Sequence, residues 1–321
     1  MSKVNFVTPV QTQIKLVEDR MRAQADERHP DLRAALEHLL SAGGKRVRPT
    51  IVLLVGNMLG GNPDRLVTLS AAVELLHTAT LVHDDLIDGA LLRRGTPTLN
   101  ARWSPAATVL TGDFVFARAA KLAAETESIP VMQYFAETLA VIVNGELTQM
   151  FSSKGIANRD NYYQRIYAKT ASLFETCAYA AAMISRAGEE TCELMRQFGY
   201  NTGMAFQIVD DILDFTSDEG TVGKPVGSDL LNGLITLPAL YYIESHPDDP
   251  DVGELAEGGY ADPERVARLV AAVRASDSIH KATGEASRFV DKALAALAAF
   301  PAGDEREALI ELARYIVDRE L

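Results

Sequence analysis

The segment from Leu66 to Asp88 is apolar nearly all the way round a helix. A helix with no polar face has to be surrounded by other elements, so this stretch predicts a central buried helix with the rest of the chain packed around it. It closes on Leu81-Val82-His83-Asp84-Asp85-Leu86-Ile87-Asp88, with carboxylates at i, i+1 and i+4. Positions i and i+4 share one helix face. The pattern recurs at Phe206-Gln207-Ile208-Val209-Asp210-Asp211-Ile212-Leu213-Asp214. Each run therefore presents a claw of two or three carboxylates at the end of an apolar helix.

Three carboxylates near a helix C-terminus repel one another, and the helix dipole disfavours each by about 0.3–1 kcal/mol. Gly89 after the first claw, and Ser217 with Gly220 after the second, place both at such ends. Something positive should offset them. Oxygen donors without Cys or paired His favour a hard ion, Mg²⁺ or Mn²⁺. Magnesium tends to share its coordination shell with substrate phosphates, so the claws predict a phosphorylated substrate bridged through metal. The plainer alternative is a pair of solvated acidic helix ends; two copies, each behind an apolar helix, argue against it.

Helical periodicity holds from end to end. Helices are expected over Val10–Ala25, Asp31–Leu40, Thr50–Leu59, Ala106–Ala124, Val131–Phe151, Asp160–Ala187 and Glu190–Thr216, with shorter ones beyond Leu237. Loops are expected from Gly89 to Thr98 and from Ser217 to Gly233, and no alternating strand of useful length is present. The pattern is all-α, with mostly short connections and no linker, and reads as one domain over residues 1–321.

The 321 residues carry 44 acidic and 31 basic side chains, a net charge of −13, without a basic stripe. That argues against nucleic acid as the main partner. No segment reaches the roughly eighteen consecutive apolar residues that a membrane span requires, and Met1–Asp19 lacks the apolar core of a signal peptide. Cys177 and Cys192 match no zinc or redox spacing and are expected to be buried free thiols in a reducing compartment, which makes the expected location cytoplasmic.

Basic residues cluster beside the acidic ones. Gly43-Gly44-Lys45-Arg46-Val47-Arg48-Pro49 is a glycine-flanked basic turn able to wrap an anion. Arg93-Arg94-Gly95 follows the first claw, Lys169-Thr170 lies in a helix, and Gly223-Lys224 follows the second claw. Arginine grips phosphate oxygens through a planar fork and lysine supplies a point charge.

Taken together these motifs closely resemble the trans-prenyltransferases, or polyprenyl diphosphate synthases. The matching elements are Gly43–Pro49, Glu74-x-x-His77, Asp84-Asp85-x-x-Asp88 with Arg93-Arg94-Gly95, Gly145-Glu146-x-x-Gln149, Lys169-Thr170, Gln207-x-x-Asp210-Asp211-x-x-Asp214, Gly223-Lys224, Gly227-x-Asp229-Leu230 and Thr236-Leu237-Pro238. The resemblance covers nearly the whole chain. It implies a bundle of long antiparallel helices around a central cavity, the isoprenoid synthase fold. It also implies that an allylic diphosphate ionises, that the double bond of isopentenyl diphosphate attacks the carbocation, and that the released diphosphate takes the proton. By the same resemblance, Asp84, Asp85, Asp88, Asp210, Asp211 and Asp214 bind magnesium. Arg93, Lys169 and Lys224 grip the allylic diphosphate, with Thr170 beside them, and Gln207 supports the second claw. Lys45, Arg48, His77 and Arg94 hold isopentenyl diphosphate. Leu234 stands where the family often has a lysine, which puts one phosphate contact in doubt.

Ala79 lies five residues before Asp84, about 7.5 Å along a helix axis, and Thr80 four before it. In the family an aromatic residue there gives short products. Two small residues imply a tunnel that continues, with Leu76 or Phe135 as its floor, and a product longer than four isoprene units. The segment His77–Asp85 resembles synthases of long quinone side chains, with geranylgeranyl diphosphate synthase as the rival. A catalytic subunit needing a second polypeptide, a non-catalytic partner subunit, and a terpene cyclase are the remaining alternatives. The intact claws speak against the non-catalytic subunit, and Lys45, Arg48 and Arg94 against the cyclase. The expected assembly is a homodimer without a transmembrane segment, touching a membrane peripherally for product release.

Overall fold

The computed structural model describes residues 6–25, 29–41, 44–93, 95–151, 158–216, 226–256 and 262–318. Helices dominate. In chain order they are α1 (Gln11–Arg22), α2 (Pro30–Ser41), α3 (Val47–Met58), α4 (Pro63–Ile87), α5 (Pro105–Glu125), α6 (Ile129–Phe151), α7 (Arg159–Ile166) and α8 (Ser172–Ile184). They continue as α9 (Glu189–Thr216), α10 (Ser228–Leu231), α11 (Leu237–Ser245), α12 (Pro250–Ala256), α13 (Pro263–Ala275), α14 (Ser278–Leu297) and α15 (Asp304–Asp318).

Helix α4 is the expected buried rod. Asn62 caps it by accepting from the Arg65 N–H at 3.1 Å, and Pro63 opens its first turn. Every residue from Leu66 to Leu76 is buried, against α1, α3 and α5. By length and mean hydropathy α4 would be able to cross a membrane, although polar residues such as Ser70, Glu74 and His77 interrupt its apolar run. However, 78% of that window is buried inside the fold, which is how a core helix reads.

Tertiary contacts group the chain into two compact units. One comprises Met1–Leu139, Leu173–Gly199 and Leu297–Glu311; the other comprises Ala140–Ser172, Tyr200–Ala296 and Leu312–Leu321. The first is built on Ile51–Val55, the buried run of α4, Phe174 and Phe198; the second on Tyr162, Ile208, Val209, Ile212, Phe215 and Leu237. Both cysteines are buried and free, as expected.

Three local features depart from the sequence reading. A hairpin of β1 (Leu92–Arg93) and β2 (Thr96–Pro97) occupies the loop after α4, with Leu92 opposite Pro97 and Arg93 opposite Thr96. Two-residue strands are too short to show a period of two. The helix expected over Asp160–Ala187 is instead α7, a π-helical turn at Tyr167–Ala171, and α8. One wide turn leaves the apolar period nearly intact, so it is invisible to pattern reading. Finally, α3 begins at Val47, ahead of Pro49. A proline is tolerated in the first turn, where its missing N–H had no helical partner, so Arg48 sits on the helix and not in the basic turn.

Candidate active site

The first claw forms where α4 stops. Gly89, at φ 64°, takes the left-handed position that ends many helices, and its N–H donates to the Leu86 carbonyl at 3.2 Å. The Ala90 N–H donates to the Asp85 carbonyl at 2.8 Å, which completes a Schellman motif. Asp84 is half-buried, Asp85 buried and Asp88 exposed. The hairpin folds back on this end: the Arg93 Nε donates to Asp85 Oδ1 at 2.9 Å and Oδ2 at 3.1 Å, and its Nη2 lies 2.8 Å from Oδ1. The Thr98 hydroxyl donates to the Ala90 carbonyl at 2.7 Å and holds the hairpin down. Arg93, expected on a diphosphate, is thus held on the claw itself while part of its side chain reaches solvent. Arg94 lies outside the described residues.

The basic turn divides in two. Lys45 is exposed, and the Arg48 guanidinium rests over the Phe174 ring at 4.8 Å. Arg46 points inward instead. Its Nε donates to Glu18 at 3.1 Å, Nη1 to Glu74 at 3.0 Å and Nη2 to the Leu40 carbonyl at 3.0 Å. His77 is half-buried one turn beyond Glu74, and its carbonyl accepts from Thr80 Oγ1 at 2.8 Å. Gly43 lies outside the described residues. Among the residues expected to set product length, Leu76, Ala79 and Phe135 are buried in the interior and Thr80 is half-buried.

The second claw is supported from several elements. Asp211 on α9 is buried, and each of its oxygens accepts a hydrogen bond: Oδ1 from Gln207 Nε2 and Oδ2 from the Tyr162 hydroxyl on α7, both at 2.8 Å. The Gln207 carbonyl oxygen in turn accepts from Thr170 Oγ1 at 2.6 Å. Asp214 Oδ1 accepts from Ser228 Oγ at 2.7 Å, and Oδ2 accepts from the Asp229 N–H at 3.1 Å. Lys169 shares the π-helical turn with Thr170 and lies 3.6 Å from Glu146 on α6. At Gly145 a Cβ would come 2.4 Å from Ala168 Cβ, so a side chain there would part α6 from this turn. Gly223 and Lys224 lie outside the described residues.

Burial, and then the charge of Asp229, push the Asp211 carboxyl up to about 7, against the lowering effect of Gln207, Tyr162 and Arg165. Tyr162 is raised in turn by burial and by Asp211. The protein alone disfavours the ionised form of Asp211, and a nearby cation would favour it. Among the described residues no three His, Cys, Asp or Glu side chains form a closed metal cage. The donor set still fits a hard dication, because magnesium takes few protein carboxylates and completes its shell with water and phosphate.

Sequence reasoning missed Tyr162, Arg165 and the internal role of Arg46. Tyr162 lies seven residues, two helical turns, before Lys169. The Arg165 Nη2 donates to the Ile235 carbonyl at 2.8 Å, and its guanidinium faces the Tyr162 ring at 5.5 Å.

Residues 29–273 match the family model described as polyprenyl synthetase. The chain is 37% identical to heptaprenyl diphosphate synthase component 2 of Geobacillus stearothermophilus, over 95% of each chain. It is 39% identical to the all-trans-nonaprenyl-diphosphate synthase (geranyl-diphosphate specific) of Rhodobacter capsulatus, over 88% of this chain and 87% of that one. Among solved structures, a polyprenyl synthase from Caulobacter crescentus, complexed with calcium and isoprenyl diphosphate, superposes with a TM-score of 0.92 at 35% identity, covering 99% of this chain and 98% of that one. The chain belongs to the polyprenyl synthetase family and is a trans-prenyltransferase with the all-α isoprenoid synthase fold.

Proposed function

We propose that the chain acts as one catalytic domain over residues 1–321, which extends an allylic diphosphate with isopentenyl diphosphate to an all-trans product of more than four isoprene units. The observation that carries this reading is the tie between a carboxylate claw and a cation-bearing turn: Asp211 is joined through Gln207 to Thr170, the neighbour of Lys169. The length of the product is supported by small, buried Ala79 behind the first claw and by the hepta- and nonaprenyl relatives.

In this reading both claws hold divalent metal, Mg²⁺ or Mn²⁺, through Asp84, Asp85, Asp88, Asp210, Asp211 and Asp214. The ions, when bound, supply positive charge to the departing diphosphate. Asp85 is oriented by Arg93, Asp211 by Gln207 and Tyr162, and Asp214 by Ser228. Lys169, Lys224 and the exposed part of Arg93 meet the allylic diphosphate, and Lys45, Arg48, His77 and Arg94 meet the isopentenyl one. The allylic C–O bond breaks with its electron pair leaving on diphosphate. The isopentenyl double bond then forms the new C–C bond, and loss of a proton to the released diphosphate restores a double bond. The acting species is a homodimer in the cytoplasm.

The test is an assay of the purified chain with radiolabelled isopentenyl diphosphate, Mg²⁺, and farnesyl or geranylgeranyl diphosphate as primer, followed by chromatography of the dephosphorylated product. Alcohols longer than geranylgeraniol are expected. Geranylgeraniol as the end product would overturn the long-chain reading.

A further inference from the structure

We propose that Tyr162 is a positioning residue for the reaction, fixing the second claw and the Lys169 turn in one register; this rests on the functional reading above. Four groups form a continuous chain. The Tyr162 hydroxyl donates to Asp211 Oδ2, Gln207 Nε2 donates to Asp211 Oδ1, and Thr170 Oγ1 donates to Gln207 Oε1, at 2.8, 2.8 and 2.6 Å. Both ends of the chain lie on one stretch of backbone, since Tyr162 is on α7 and Thr170 is in the π-helical turn that follows it. The loop closed through Asp211 therefore brackets Lys169. A shift of Asp211 along α9 would stretch one end of this clasp, and relaxation of the π turn would stretch the other.

The rest of α7 is built to hold Tyr162 still. Its side chain is fully buried, and the Arg165 guanidinium over its ring is anchored on the Ile235 carbonyl. Asp211 has a donor on each oxygen, so its carboxylate plane is set by the protein before any ion arrives. The π turn adds a second sign of function, because such wide turns persist where a specific side-chain position requires them. Outer partners of metal-binding carboxylates typically alter affinity by about 10- to 100-fold when removed.

Calorimetric titration of the full chain with inorganic diphosphate in excess MgCl₂ tests this without turnover. Tyr162→Phe is expected to weaken binding by about tenfold or more. Tyr163→Phe removes a hydroxyl from the neighbouring position of α7, where it faces Glu285, and is expected to stay within about twofold of the unaltered protein. Tyr162→Phe combined with Lys169→Ala is expected to lose less than the sum of the two single losses, because both act on one clasp. Unchanged affinity in Tyr162→Phe, equal losses from both tyrosines, or strict additivity with Lys169→Ala would each overturn the proposal. The last two would mean that Tyr162 only stabilises α7. Absence of magnesium-dependent diphosphate binding in the unaltered protein would instead overturn the functional reading, and the proposal with it.

Discussion

Arg46 holds a backbone conformation that side-chain-bearing residues rarely adopt, with φ at 48°, at the N-cap of α3. Such a conformation persists when the surroundings over-determine it, and three hydrogen bonds to Glu18, Glu74 and the Leu40 carbonyl do so here. Glu74 is buried on α4, so the pair also anchors the basic turn to the central helix. Arg46→Ala leaves Glu74 without its partner in the interior, a change that costs about 3–5 kcal/mol. Urea unfolding followed by circular dichroism should show a loss of that size, with Arg46→Lys intermediate because lysine lacks the planar fork. By comparison Lys45→Ala, at an exposed neighbour, should leave stability within about 0.5 kcal/mol. The sequence reading assigns Lys45 and Arg48 to a substrate and leaves Arg46 between them without a role. Only the backbone geometry of the turn tells that the middle one faces inward.

At the scale of elements, the wide turn between α7 and α8 and the close approach of α6 to it belong together. A methyl group at Gly145 would sit 2.4 Å from Ala168 Cβ, inside any real carbon–carbon contact. Gly145→Ala should therefore destabilise the protein by about 1–3 kcal/mol and displace the turn carrying Lys169. The expected signature is a higher KM for the allylic primer with a smaller change in that for isopentenyl diphosphate; equal changes would mean that the turn does not serve the allylic site. The central helix, both claws and the all-helical pattern were legible in the sequence because burial and charge repeat at helical spacing. The π turn, the two-residue hairpin and the Tyr162 clasp were not. A single inserted residue barely perturbs the apolar period, and a hydrogen bond spanning 49 residues from Tyr162 to Asp211 leaves no local trace. The hairpin carries Arg93 back onto Asp85, so the residue read as a substrate contact also orients the claw.

For the whole molecule, product length depends on the interior of α4 behind the first claw. Ala79 is buried on α4, and Ala79→Phe should shorten the product while isopentenyl incorporation continues; an unchanged chain length would mean that Ala79 does not line the path of the growing chain. The proposed homodimer draws on a different feature. Helix α6 exposes Val143, Leu147, Met150 and Phe151 toward its end, the last at 82%. Val143, Leu147 and Phe151 recur every four residues and so lie along one side of α6. Apolar side chains gathered on a helix face mark an interaction surface more often than chance exposure does. A second copy would cover like with like. Light scattering on the purified chain should then give twice the 34.8 kDa mass, and Leu147→Glu should shift it toward one chain with its helical signal intact. A single-chain mass combined with no activity would instead favour a second, different polypeptide on this face.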